Sequence, residues 1–241
     1  VAKDGQALSQ LCGKPAAVLS HLPGTSIYAP NPRHCSLIGS LLADVHNAGL
    51  NFSRGRSNSL ALKDWPILLK QIGSNGDLVS PGITADLKDE IQYLSRHWPE
   101  GLPQGIIHGD LFPDNVLFFD GEISGVIDFY FSCRDFLAYD LSVCLNAWAF
   151  DFNGEFSRGR SEALIKGYYN KRVLTGHEYE LLPIFCRGSA LRFLLTRLYD
   201  HINVPVAMIG TTKDPLEYYK KLLFHRNVTS AADYGYFYKN G

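Results

Sequence analysis

Ile106-Ile107-His108-Gly109-Asp110-Leu111-Phe112-Pro113-Asp114-Asn115-Val116-Leu117-Phe118-Phe119, followed by the return Gly125-Val126-Ile127-Asp128-Phe129, is the stretch on which the fold turns. Val116–Phe119 is an apolar run of strand length, Asp120-Gly121 is a strong hairpin-turn dipeptide, and residues 123–127 come back as the second strand. Such a hairpin returns the chain beside its own start. Asp128, thirteen residues beyond Asn115, is therefore expected near Asn115 and near the loop that Ile106-Ile107 leads into.

Outward from this β element the periodicity is helical. Upstream, Asn31 as N-cap and Pro32 at the first helical position open a helix with Ile38, Leu41, Leu42 and Val45 on its apolar face, and Gly49 is read as its C-terminal cap. Residues 50–82 read as loop with one short helix around Trp65–Ile72. Residues 84–98 read as an amphipathic helix with the stripe Leu87, Ile91 and Leu94, stopped by Pro99. Downstream, Leu141, Cys144, Leu145 and Trp148 form one stripe, and Leu191, Leu194, Leu195 and Leu198 another. Asp214-Pro215 caps a last helix carrying Leu216, Tyr219, Leu222 and Leu223. The predicted fold class is α+β, an α-rich body around a small β-hairpin that holds the loop at 108–115. The first thirty residues contain one apolar run, Ala16-Ala17-Val18-Leu19, with no strand candidate before it; a lone strand must add to a sheet. The start at Val1 and the sole methionine, Met208, lead to the expectation of a preceding segment. The tail aromatics Tyr234, Tyr236, Phe237 and Tyr238 read as packing or a disordered end.

The 241 residues suffice for one large domain or two small ones. With 23 Lys+Arg against 24 Asp+Glu the net charge is −1, which argues against a dedicated binder of nucleic acid or anionic membrane. A mean hydropathy of −0.07, no apolar run of about 18 residues and no signal-peptide pattern point to a soluble cytoplasmic chain. Five scattered cysteines (Cys12, Cys35, Cys133, Cys144, Cys186) without C-x-x-C spacing are expected to be reduced thiols.

Phosphoryl transfer from ATP needs positioning and charge neutralisation more than covalent help. A carboxylate must take the acceptor's proton, and hard oxygen ligands must hold Mg²⁺ on the phosphates. Asp110 and Asn115 stand at the D-x-x-x-x-N spacing that supplies both. Asp and Asn are also common turn formers, so the spacing alone is weak; the preceding His-Gly, the hairpin and the apolar-flanked Asp128 give it weight. His108 is a candidate catalytic residue, either in proton transfer or as a packed histidine shaping the loop. Asp140 is expected to be a buried carboxylate bracing that loop.

His108-Gly109-Asp110-x4-Asn115 with Ile127-Asp128-Phe129 resembles the aminoglycoside phosphotransferase-like kinases, a branch of the protein-kinase-like fold. The segments Tyr130-Phe131-Ser132-Cys133, Tyr139-Asp140-Leu141-Ser142-Val143-Cys144-Leu145-Asn146, the run from Ala190 to Asp200 and Lys213-Asp214-Pro215 are similar to the homoserine-phosphorylating members. The resemblance implies a protein-kinase-like fold, mostly its helical C-terminal lobe. Residues 1–24 would be a remnant of the N-terminal lobe and hinge, and residues 25–241 the C-terminal lobe. It further implies Asp110 as catalytic base, Asn115 and Asp128 as Mg²⁺ ligands, and Ser20, His21 and Leu22 as the hinge whose backbone meets the adenine of ATP. The lysine and covering loop of the family's N-terminal lobe are not found; Lys3 and Lys14 do not fit that role, so the chain as given is expected to bind nucleotide weakly and turn over poorly. Ala147 stands where family members commonly carry an acid.

The implied acceptor is L-homoserine, phosphorylated for threonine biosynthesis. Its carboxylate suits an arginine, and Arg192 and Arg197 lie on a strongly apolar helix where each must face a partner or a site. An internal salt bridge to Asp140, Asp200 or another acid is the equal alternative. Tyr130 is a lining candidate. The rivals are a kinase of the same branch acting on an aminoglycoside, choline or a thiosugar, and a non-catalytic nucleotide-binding module.

Overall fold

The described strands pair as three two-stranded antiparallel ladders, and helices supply most of the framework. The computed structural model describes residues 8–204 and 213–235; Lys3, Met208, Tyr236, Phe237 and Tyr238 lie outside them. Near the start, β1 (Ser9–Leu11) pairs with β2 (Lys14–Ala16). This corrects the lone strand expected from Ala16 to Leu19: a partner does precede it, and Val18 and Leu19 fall outside the ladder, both exposed. The partner is hidden in the sequence because its turn is Cys12-Gly13. Both residues take positive φ (50° and 76°), as a tight two-residue hairpin requires, without the usual Asn-Gly or Asp-Gly signal.

α1 (Pro32–Gly49) begins as read, with the Asn31 side chain accepting the His34 backbone N–H and Pro32 in the first turn. Gly49 is not a left-handed cap. It is the last helical residue, and a Cβ there would lie 3.0 Å from Ile106 Cβ, so glycine serves the close approach of α1 to the next strand. α1 also crosses α6 (Arg158–Tyr169) through two facing glycines: a Cβ on Gly39 would meet Leu164 O at 2.0 Å, and one on Gly167 would meet Ser36 O at 2.1 Å. Ala is the better helix former by about 1 kcal/mol, but it has no room here. Gly39→Ala should therefore destabilise by about 1–3 kcal/mol, read as a fall of several degrees in Tm; an unchanged Tm would mean the helices part freely.

α2 (Trp65–Ile72), the single turn α3 (Gly76–Val79) and α4 (Ile83–His97) follow, the last burying Leu87, Ile91 and Leu94. β3 (Gln104–Ile107) leads into the loop. β4 (Val116–Phe119) and β5 (Glu122–Val126) form the expected hairpin on the left-handed pair Asp120-Gly121. β6 (Cys133–Phe136) was not expected: Arg134-Asp135 at its centre hides the alternation, yet it pairs with β3 from Gln104↔Phe136 to Ile107↔Cys133.

α5 (Leu137–Trp148) buries every residue but Ala147. A helix apolar on all sides belongs in the interior. Leu137, Ala138, Tyr139 and Val143 face one core cluster with α2, α4, α8 (Leu182–Asn203) and α9 (Pro215–Arg226), whereas Leu141, Cys144, Leu145 and Trp148 face the other with α1 and α6. Each fully buried Leu or Trp there contributes about 1.5–3 kcal/mol. α7 (Gly176–Glu180) joins α6 to α8. On α9 the inward face is Tyr218, Lys221, Leu222 and His225; Leu223, assigned to the apolar stripe, is 40% exposed. Tyr234 packs inside, its hydroxyl 2.9 Å from His225 Nδ1. No helix of the described residues is long and apolar enough to cross a membrane.

Candidate active site

β3 ends at Ile107, and the backbone then turns on Gly109, whose φ of +74° and close neighbour Phe131 O suit glycine. The backbone N–H groups of His108 and Gly109 each donate to Asp140 of α5, both at 2.8 Å. Asp140 is fully buried. Burial pushes its carboxyl pKa up, but hydrogen bonding and charge from His46, 3.0 Å away, together with the loop N–H groups, outweigh it and hold the group below the usual carboxylate range. Asp140 thus braces the loop, as expected.

His108 is buried, and its ring is engaged at both nitrogens. Nδ1 accepts the Asp110 N–H at 3.2 Å, which leaves Nε2–H to donate to Ile127 O at 3.1 Å. Of its two readings this geometry is that of the packed histidine, which shapes the loop and ties it to the end of β5.

Asp110 is 20% exposed at its side chain. Burial raises its pKa, opposed by the positive charges of Arg192 and Lys213. Asn115 Nδ2 donates to Asp110 O at 2.8 Å and to Asp110 Oδ2 at 3.2 Å. Asn115 Oδ1 accepts no hydrogen bond among the described residues. The Asn115 carbonyl in turn accepts the Ile127 N–H at 3.0 Å, which fastens the residue before Asp128 to the residue five beyond Asp110. Asp128 itself is exposed and left-handed (φ 60°, ψ 59°), a strained conformation for a side chain, and its Oδ1 accepts the Tyr130 N–H at 3.3 Å. One loop and one hairpin therefore set Asn115 against Asp110 and bring the residue before Asp128 onto the Asn115 backbone.

The other candidates divide. Arg192 is buried, donates to Gly109 O at 3.1 Å and stands 4.0 Å from Asp110 Oδ1; it pairs with neither Asp140 nor Asp200. Arg197 Nη1 bonds Glu217 at 2.7 Å and Asp214 O at 3.1 Å, the internal ion pair given as the alternative to a substrate contact. Tyr130 is exposed, with Arg56 over its ring. Ser20 and His21 are exposed, while Leu22 packs on Gly125, where a Cβ would lie 2.5 Å from Leu22 Cδ1. Pro23 O accepts from Ser124, and Thr25 exchanges backbone hydrogen bonds with Phe118 at 3.0 and 2.9 Å. The segment read as the hinge thus leads onto the hairpin whose ends carry Asn115 and Asp128.

Two partners escaped the sequence reading. His46 lies two i+4 steps along the buried face Ile38, Leu42, His46, so a polar residue on an apolar stripe was its visible signal. Tyr139 was masked by the apolar run around it. Among the described residues no group of three or more His, Cys, Asp or Glu could hold a metal ion. What the loop offers is a pair of hard oxygen donors, the Asn115 amide oxygen and the Asp128 carboxylate, which suits a cation that shares its other ligands with phosphate.

Residues 2–174 match the model of the phosphotransferase enzyme family (APH). Homoserine kinase of Rhizobium etli is 47% identical over 97% of this chain and 73% of its own length. Homoserine kinase of Methylobacterium radiotolerans is 50% identical over 96% of this chain and 72% of its own. Amicoumacin kinase, solved in complex with AMP-PNP and Ca²⁺, superposes with a TM-score of 0.60 at 13% identity, covering 95% of this chain and 71% of that one, a likeness of fold. The chain belongs to the phosphotransferase enzyme family.

Proposed function

We propose that this protein transfers the γ-phosphoryl group of ATP to the side-chain hydroxyl of L-homoserine, giving O-phospho-L-homoserine for threonine biosynthesis. The observation that carries the reaction is the Ile127 N–H bond to Asn115 O, which sets Asp128 beside the loop of Asp110. The acceptor rests on relatives named homoserine kinase at 47% and 50% identity.

The chemistry asked of the chain is modest. Asp110 accepts a hydrogen bond from the acceptor hydroxyl and takes its proton as the oxygen bonds to the γ-phosphorus. The bond from phosphorus to the bridging oxygen breaks, and its electron pair leaves with ADP. Burial, by raising the pKa of Asp110, makes it a better proton acceptor than an exposed aspartate. Asn115, through Nδ2, holds Asp110 in place and keeps its Oδ1 without a hydrogen bond among the described residues. Asn115 Oδ1 and the Asp128 carboxylate would hold Mg²⁺, which would supply neutralisation of the phosphate charge. Ser20-His21-Leu22 offers its backbone to adenine, residues 1–24 belonging to the nucleotide-covering part and residues 25–241 to the helical lobe.

The test is ADP release by the protein as its gene encodes it, across an acceptor panel. L-homoserine should turn over fastest; faster turnover with choline or kanamycin would overturn the assignment.

A further inference from the structure

A small cavity lies against the Asp110 loop, with Ser59, Gly109, Phe131, Tyr139 and Arg192 in its wall and a volume of about 10 Å³. Space of that size holds about one oxygen atom with its hydrogen-bonding partners. One of its polar groups lacks such a partner, and another has donors to spare. The Tyr139 hydroxyl, on a side chain 3% exposed, makes no hydrogen bond among the described residues. Arg192, 4% exposed, spends one of its five N–H donors on Gly109 O, and its guanidinium carbon lies over the rings of Phe193 at 3.9 Å and Phe131 at 5.1 Å. The nearby carboxylate of Asp110, at 4.0 Å, is beyond hydrogen-bond reach. An orphaned hydroxyl in an interior is costly, and here that of Tyr139 shares the wall of a void with a buried guanidinium, beside the acid that takes the acceptor's proton.

We propose that this cavity receives one oxygen of the acceptor's carboxylate, with Arg192 and the Tyr139 hydroxyl as its donors. The assignment rests on homoserine as acceptor and deepens that reading. Four bonds separate the carboxylate carbon of homoserine from its hydroxyl, a reach of about 4–5 Å. That matches the 4.0 Å between Arg192 Nη1 and Asp110 Oδ1, so a carboxylate anchored at Arg192 delivers the hydroxyl to Asp110. An amino alcohol without the carboxylate leaves the Tyr139 hydroxyl unpaired, the situation in which a polar site discriminates most strongly. A neutral sugar hydroxyl brings no anion to the guanidinium.

Tyr139→Phe is the clean probe, because it deletes a hydroxyl that bonds no group among the described residues. The experiment compares L-homoserine with 3-aminopropan-1-ol, the same molecule without its carboxylate, in the protein as its gene encodes it; the amino alcohol is read as substrate or as competitive inhibitor. The preference for homoserine should fall about tenfold or more through KM, with the KM for ATP unaltered and Tm unchanged or raised. Arg192→Lys, which loses the guanidinium's fork of donors, should lower the same preference. An intact preference in Tyr139→Phe, or equal losses on both acceptors, overturns the cavity assignment while leaving homoserine as substrate. Wild-type protein that does not phosphorylate homoserine overturns the acceptor reading itself.

Discussion

Asp110→Asn should lower kcat by about 10²–10⁴-fold, with Tm at or above that of the wild type. The amide keeps the shape of the carboxylate and an oxygen to accept from Asn115 Nδ2, 3.2 Å from Asp110 Oδ2, so the loop holds its form. It cannot take the acceptor's proton. The sign of the stability effect follows from the shift: burial is the largest influence on Asp110 and raises its pKa despite Arg192 and Lys213. The charged form is therefore disfavoured by the fold at neutral pH, and a neutral replacement relieves the structure. The same shift sets the acid limb of the wild-type rate profile, with kcat falling as pH drops through a value above the ordinary aspartate pKa. Steady-state ADP release at saturating acceptor and a thermal melt check both halves; an Asn variant that keeps more than a tenth of the rate removes Asp110 from proton transfer.

The residues that carry this chemistry were legible because their constraints are local. Asp110 and Asn115 share one short loop, and Asp120-Gly121 announces the hairpin that returns Asp128. The α1 cap at Asn31-Pro32 and the bounds of Trp65–Ile72 were likewise written in nearest neighbours. What the sequence withheld depends on partners far along the chain. β6 is a strand because Ile107 and Gln104 lie across from Cys133 and Phe136, not because Cys-Arg-Asp-Phe alternates. Gly49 looks like a helix cap until Ile106 is seen against it, and Gly39 is a close approach fixed by Leu164, far along the chain. For His108 and Arg197 the sequence leaves two readings open for the same reason. A titratable ring or a guanidinium on an apolar stretch has the same sequence signature whether it meets a substrate, a carbonyl such as Ile127 O, or an acid such as Glu217.

The second large effect is expected at a residue that touches no substrate. Asp140 is fully buried and accepts from the N–H groups of His108 and Gly109 at 2.8 Å each and from His46 Nε2 at 3.0 Å. Asp140→Ala leaves all three without a partner in the interior, a loss of about 3–5 kcal/mol. At about 2–4 °C per kcal/mol for a chain of this size, Tm should drop by about 10 °C. Asp140→Asn keeps the volume and one acceptor but turns an N–H toward a donor, so its loss is smaller in Tm yet still felt in kcat, because the loop that aims Asp110 is loosened. The linkage has a definite sign. The folded pKa of Asp140 lies below its unfolded value of about 3.9, so its stabilisation is complete at neutral pH and is lost as pH falls below the ordinary carboxylate range. Wild-type stability should therefore decline on acidification with a slope that Asp140→Asn lacks. Equal slopes would assign the acid sensitivity to other carboxylates, such as Glu217, whose pKa Lys221 and Arg197 also hold down against burial. His46 extends the brace outward, since its Nδ1 meets the Tyr168 hydroxyl at 2.7 Å and that hydroxyl accepts from Arg172, itself bound to the buried Glu178 at 2.9 Å. Anchored through this chain to α6 and α7 as well as to α5, the loop at 108–110 is held by the helical body, and its geometry should fail with the fold and not before it.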